Sequence, residues 1–396
     1  VEEAVSLIVY ATEYGLASPP RPLSLYRLLR EAESAGARVW LSGSVPEGRE
    51  SLGAYGIYAS QRDAFVRRYP DMIIVEAAGN EGTDADGDGR VDPGNLLGGA
   101  TAKNVVSVGG CESRGGGTKA PAYGEMEEMF HGDFHTSPLA EDACVGDGGG
   151  MAAFSSRGPT RDGRIKPDLV APSTWVLTLA SGGEENLACL LPSSRQGLVR
   201  AFGTSFAAAE VARRVVETAG MVERETGKHP SAALCKALLV NGAEDLHPGQ
   251  YGEEEAEIPP APNPVEGWGR MDFAAVCKAG SRLKMVDERE GLYGGEAWSC
   301  RVSVEPGKEL RVTLAWTDFP SLPEARLHLV NDLDLTVRGP GGETWYPNGR
   351  NTRDPLNNVE RTVIPASAEG GEYLVEVNAW NVPFAPQPFA LVVQVF

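Results

Sequence analysis

Ala201-Phe202-Gly203-Thr204-Ser205-Phe206-Ala207-Ala208-Ala209-Glu210-Val211-Ala212 is a turn running straight into an alanine-rich, helix-forming segment that continues to about Gly220. Glycine lets the backbone bend where a Cβ would clash. Thr204 or Ser205 is placed to cap the helix. A serine in the first turn feels the positive end of the helix dipole and nearby free N–H groups. That position suits a nucleophilic oxygen whose attack creates an anion. Taken alone, the stretch equally describes a capped core helix, so its surroundings decide between the two.

Upstream, short apolar runs alternate with helical patterns. Residues 4–12, 39–41, 72–77 and 105–108 predict strands, the first of them a buried parallel one; residues 23–35 and 59–68 predict helices. This alternation predicts an α/β parallel sheet flanked by helices. In such sheets, sites form outside the carboxyl ends of strands, and Asn80 lies at one such end. Residues 217–247 hold further helix. After a boundary near 280–286, residues 310–316, 333–337, 373–377 and 389–393 alternate with period two between Gly, Pro and Asn turns. That pattern predicts an all-β antiparallel sandwich, of jelly-roll type.

Three further stretches join the first: Ala77-Ala78-Gly79-Asn80-Glu81-Gly82, Phe154-Ser155-Ser156-Arg157-Gly158-Pro159-Thr160, and Asp162-Gly163-Arg164-Ile165-Lys166-Pro167-Asp168-Leu169-Val170-Ala171-Pro172. In this order, followed by Gly203-Thr204-Ser205, they resemble the subtilisin-like serine proteases, the subtilases. The likeness is greatest to the subset with a C-terminal β-sandwich and runs over nearly all 396 residues. Gly267-Trp268-Gly269-Arg270-Met271 resembles the closing signature of the protease domain in that subset. The resemblance implies a peptidase domain over residues 1–282, lacking its N-terminal part, and a sandwich over 283–396. It implies Ser205 as nucleophile, with the Asn80 amide and the Ser205 N–H holding the oxyanion of a peptide or protein substrate. A salt-bridging Arg157 and Asp168 would steady the sheet ends. Ser173, Ala209 and Arg213 depart from the family's usual Gly, Pro and Gly. The family's groove-lining Ser-x-Gly strand is matched only ambiguously, by Trp40-Leu41-Ser42-Gly43-Ser44-Val45.

The family's Asp-Thr/Ser-Gly and His-Gly-Thr-His-Val-Ala motifs are absent from the sequence. None of His131, His135, His229, His247 and His328 has the required context. In chain order both motifs belong before residue 4, so the reading expects a truncated or processed start at Val1. As given, the chain is then an inactive fragment of a secreted serine endopeptidase. The alternative is a non-catalytic, calcium-binding or adhesive relative of the same fold.

Asp84-Ala85-Asp86-Gly87-Asp88-Gly89-Arg90-Val91-Asp92 has the spacing of an EF-hand-type calcium loop, with alternate acids and a Gly at the bend. Position 12 is Asn95, not Glu. The expected structural Ca²⁺ ligands are Asp84, Asp86, Asp88, Arg90 through its carbonyl, and Asp92. The subset resembled often carries calcium in its sandwich too. Asp318, Asn331, Asp332, Asp334, Asn357 and Asn358 stand at strand ends for either that role or ordinary Asx turns.

Six cysteines without a CxxC pair argue against a zinc ribbon. Cys144 and Cys189 are the better disulfide candidates, while Cys235 and Cys277 read as buried thiols. Residues 115–150, with His131 and His135, read as a surface loop. The formal charge of −19 argues against nucleic acid, and no apolar run has transmembrane length. A monomer is expected.

Overall fold

The computed structural model describes residues 6–8, 25–43, 51–115, 120–126, 134–180, 190–193, 195–251, 256–278, 280–366 and 370–396. Helix α1 (Leu25–Ser34) buries Leu29 and Ala32 and ends before Gly36, whose φ of +95° suits glycine. Strands β1 (Val39–Ser42), β2 (Ile73–Ala77), β3 (Val106–Cys111) and β6 (Leu169–Pro172) form a parallel sheet in the order β1-β2-β3-β6. Helix α2 (Ile57–Arg68) connects the first two. Strands β2 and β3 are buried along their whole length and are mostly apolar; the buried Glu76 of β2 is paired with Arg62. Residues 6–8 are exposed and belong to no strand, so the expected strand over residues 4–12 is absent there. The other residues of that stretch lie outside the described ones.

Helix α3 (Thr204–Thr226) crosses the sheet on its small residues: Ala207, Ala208, Val211, Ala212, Val215 and Ala219 are buried against it. Gly227, at φ +71°, ends the helix. Before α3, strands β7 (Val176–Leu179), β8 (Leu190–Pro192) and β9 (Leu198–Ala201) make a small antiparallel sheet. The described residues between 115 and 150 make more than a surface loop. Strands β4 (Ser113–Arg114) and β5 (Val145–Gly146) pair at their base. Tyr123, Phe134, Leu139 and Cys144 from this segment pack with Phe154 and Phe202 as a core of their own.

Helix α4 (Ala232–Gly242) is buried at every residue, and the short α5 (Phe273–Val276) follows. The antiparallel strands then begin: β10 (Arg282–Leu292), β11 (Ala297–Val304), β12 (Leu310–Ala315), β13 (Asp332–Arg338), β14 (Thr344–Trp345), β15 (Val359–Ile364), β16 (Gly371–Asn381) and β17 (Gln387–Val395). They form two sheets, β10-β17-β12-β15 and β11-β16-β13-β14, which share a core that includes Val312, Leu335, Val375 and Leu391. Strand β16 keeps strict alternation, burying Tyr373, Val375, Val377 and Ala379. Strand β17 does not. Its Phe389, Leu391 and Val393 face the sandwich, whereas Ala390 and Val392 join the core around α4. One sandwich sheet therefore has apolar cover on both faces.

Cys144 and Cys235 are buried thiols, and Cys189 lies outside the described residues; no disulfide occurs among those described. Cys277, expected to be buried, is exposed where α5 ends. Among the described residues no helix is long and apolar enough to cross a membrane.

Candidate active site

The carboxyl end of β2 and the first turn of α3 meet. Asn80 follows β2 through Gly79, whose φ is +116°; a Cβ there would come within 2.7 Å of Leu97 and of Ser156 Oγ. Ser156 braces this bend twice: its N–H donates to Gly79 O at 2.9 Å, and its Oγ accepts from Glu81 N at 3.1 Å. On the other side Gly203, at φ +141°, donates its N–H to Ser173 O at 2.9 Å. Ser173, standing in place of the family's glycine, is buried beside Gly110, where any Cβ would lie 2.2 Å from its Oγ.

Thr204 and Ser205 do not cap α3 as expected. The residue before the helix is Gly203, and the acceptor comes from Asn80, 124 positions away in sequence. Asn80 Oδ1 accepts from Thr204 N at 2.9 Å and from Thr204 Oγ1 at 3.0 Å. This fixes which end of the amide is committed. The other end, Nδ2, lies 3.4 Å from where a Cβ on Gly203 would sit. Ser205 is half-buried, and its Oγ donates to the Gly43 carbonyl at 2.6 Å. Its N–H is among the first of the helix, which have no intrahelical acceptor. Asn80 and Ser205, the two residues singled out in the sequence, are thus brought to one place. Gly43 was missed as a partner of Ser205; its signal was the Ser42-Gly43-Ser44 segment at the end of β1.

No described histidine is bonded to Ser205. His229 Nδ1 pairs with Glu223, and His247 Nδ1 bonds Ile258 O at 2.8 Å. His328 stacks on Tyr55 with ring centroids 4.3 Å apart. His135 is exposed, and His131 lies outside the described residues. Asp168 is paired, but with Lys166 at 2.6 Å and Lys236 at 2.7 Å; against the opposing effect of burial, these two ammonium groups hold its carboxyl below the usual range. Arg157, expected to form a salt bridge, is buried with Nε and Nη2 unpartnered.

The acidic loop after Asn80 bends at Gly87 and Gly89, both at positive φ, and brings carboxylate oxygens of Asp84, Asp86 and Asp88 within 4.8 Å of one another. Asp84 is buried and accepts from Asp88 N and Gly89 N, each at 3.0 Å. Asp92 stands apart from the trio and accepts from Ala85 N at 2.8 Å. The Arg90 side chain reaches Ala256 O. Asn95 is used structurally, donating to Asp92 O and accepting from Arg157 N at 2.7 Å. Three clustered carboxylates on a glycine-bent loop are a donor set that fits a hard cation.

The six sandwich residues divide. Asp318 pairs with Lys103, Asn331 ties to Phe384 and Gln387, and Asn357 and Asn358 bond Asp354 and Trp316. Asp332 and Asp334 each keep a buried carboxylate oxygen unpartnered, as does Glu360, which stands outside the six. Burial and mutual repulsion push Asp334 up to about 7 and Glu360 well above the usual carboxylate range.

Comparison with known proteins gives the family. The profile of the Subtilase family (Peptidase_S8) matches residues 29–269. The serine protease/ABC transporter B family protein tagB of Dictyostelium discoideum is 27% identical over 97% of this chain, and tagD of the same organism is 25% identical over 94%. The chain spans only about a quarter of the length of each (25% and 26%). Among solved structures, the patellamide maturation protease PatA is 20% identical, covering 64% of this chain and 66% of that one at a TM-score of 0.39. MycP3 protease from the type VII (ESX-3) secretion system is 18% identical, covering 64% and 57% at a TM-score of 0.33.

Proposed function

Since this chain belongs to the subtilase family, we propose that it is the nucleophile-bearing part of a serine endopeptidase, with a peptidase portion over residues 1–282 and a sandwich over 283–396. The observation that carries this reading is the meeting of Asn80 and Ser205 at the start of α3. Ser205 Oγ attacks the scissile carbonyl carbon, and the carbonyl electrons move to oxygen. The Asn80 Nδ2 donor and the Ser205 N–H face that charge, aided by the helix dipole. The serine proton needs a base. Gly43 O accepts a hydrogen bond from Ser205 but is no base at neutral pH. The reading therefore assigns the histidine and its orienting aspartate to a longer form of the protein, and activity to that form.

The test is labelling by a fluorophosphonate, together with peptide hydrolysis. The longer protein from its natural source should label at Ser205 and hydrolyse peptide, and Ser205→Ala should abolish both. The present chain alone should label at background level. A longer protein that neither labels nor hydrolyses would instead support a non-catalytic binding role.

The same proposal includes calcium at Asp84, Asp86 and Asp88, with the Arg90 carbonyl and waters completing the shell, and a second ion among Asp332, Asp334 and Glu360. It also has the mature protein working outside the cell, as the resemblance implies. Ion binding at a hundredfold excess over Kd stabilises a fold by about 2.7 kcal/mol. Chelation should lower the melting temperature accordingly, and Asp86→Asn/Asp88→Asn should remove part of that loss.

A further inference from the structure

Glu112 directly follows β3 and is fully buried. Its Oε1 accepts from the Tyr123 hydroxyl at 3.1 Å, while its Oε2, equally buried, has no partner. Asp142, carried by the 115–150 segment, is in the same state: Oδ1 accepts from Gln250 Nε2, and Oδ2 is buried and unpartnered. Glu257 is the third carboxylate, held by Met151 N at 2.9 Å and Gln250 N at 3.0 Å. Arg157 acts on Asp142 and Glu257, and Arg90 on Glu257, but Arg157 leaves its own Nε and Nη2 unpartnered. Glu112 Oε2 and Asp142 Oδ2 are thus two carboxylate oxygens left without a partner in a dry place, a costly arrangement unless something neutralises them.

The space is shaped as well as charged. Gly146 supplies no side chain; a Cβ there would meet Gln250 Oε1 at 3.0 Å and Glu112 Oε2 at 3.5 Å. A Cβ on Gly150 would come within 2.5 Å of Gln250 Cδ. Two glycines therefore make room for the Gln250 amide, which lies against both Glu112 and Asp142. Buried carboxylate oxygens beside an amide oxygen match the donor set of a hard divalent cation such as calcium, which takes six to eight oxygens from carboxylates, amides, carbonyls and water.

We propose that Glu112, Asp142 and the Gln250 side-chain oxygen bind a divalent cation, calcium by its chemistry, at the root of the 115–150 segment. The ion adds a tie between three pieces of chain that already touch: the end of β3, the lobe carrying Asp142, and the loop after α4. Glu112 also borders a cavity of about 940 Å³ that Phe206, the neighbour of Ser205, lines as well. The ion thus sets one wall of the space beside the candidate nucleophile.

The test is a calcium titration of the full chain by calorimetry after chelation, in the Asp86→Asn/Asp88→Asn background so that the acidic loop does not contribute. Glu112→Gln and Asp142→Asn should each bind one ion fewer than that background. In the background itself, calcium should also slow protease cutting within residues 115–150, and this protection should be lost in both variants. If Glu112→Gln fails to fold, Asp142→Asn, at a half-buried position, carries the same reading. An unchanged ion count in the folded variants overturns the proposal and leaves two carboxyl groups sharing a proton. Loss of an ion here with none lost from the acidic loop would sustain this site and count against the loop.

Discussion

On the function proposed above, Asn80 does two jobs with the two ends of one amide. Its oxygen caps α3 through Thr204, and the proposal gives its nitrogen the oxyanion. Asn80→Ala should cost about 1 kcal/mol of stability, the worth of a helix cap, and should also impair turnover of the longer protein. The catalytic cost documented for losing such a donor in a relative of this family is about 10²–10³ in kcat; that figure is borrowed from the relative. Asn80→Asp separates the roles, keeping the acceptor and losing the donor: its denaturation midpoint should stay near wild type while kcat falls. Glu266 offers a test by pH. It is fully buried, accepting from Leu246 N and Asn263 Nδ2 at 3.1 Å each, and burial with the nearby Asp245 pushes its carboxyl up to about 8. The folded state thus holds a proton that the unfolded state releases near the ordinary value, so stability is lost as pH rises toward about 8. Glu266→Gln should flatten that decline in melting temperature between about pH 5 and 9. That Ser205 and Asn80 come together was legible because each stands in a local motif. The Gly43 contact was not, because a carbonyl acceptor leaves no trace in residue type. The Glu112 group was not, because its members lie on segments far apart in the chain.

Among the elements, α4 shows where periodicity stops being informative. A helix buried all round has no polar stripe, and this one even buries Lys236, whose ammonium donates to the carbonyls of Lys103 and Val105 and pairs with Asp168. Its start is held from two sides. Ser231 Oγ accepts from Leu234 N at 3.0 Å and donates to Asp287 of β10 at 2.6 Å. Ser231→Ala should therefore cost roughly 1–2 kcal/mol in denaturant unfolding, the upper end of the capping range, because the aspartate loses a donor as well. The parallel sheet and the change to antiparallel strands were readable from apolar runs and turns. Strand β17 hides its two-sided burial, because Phe389, Leu391 and Val393 alternate only weakly with Ala390 and Val392. Both sets are apolar because both faces are covered.

For the whole molecule, the contact between the two parts includes a buried polar cluster beside its apolar core. Lys103, from the turn before β3, is completely buried and pairs with Asp318 at 2.9 Å, lies 3.7 Å from Asp63, and donates to the carbonyls of Phe319 and His328. Asn104 exchanges hydrogen bonds with Asp318, and Asn358 returns one to Lys103 O. Lys103→Met strands buried carboxylates and should destabilise by about 3–5 kcal/mol; Lys103→Met/Asp318→Asn should recover much of that loss. Calorimetry on the wild type should show one unfolding transition, since the core around α4 includes Ala315, Val359, Ala390 and Val392 from the sandwich. The exposed turn at Gly280 is then a seam in the covalent chain only. A protease that nicks it leaves two polypeptides travelling as one particle through a sizing column, parted only by denaturant. A sandwich-less product made by expression would be a different object, with the flank of α4 bared to water and prone to precipitate.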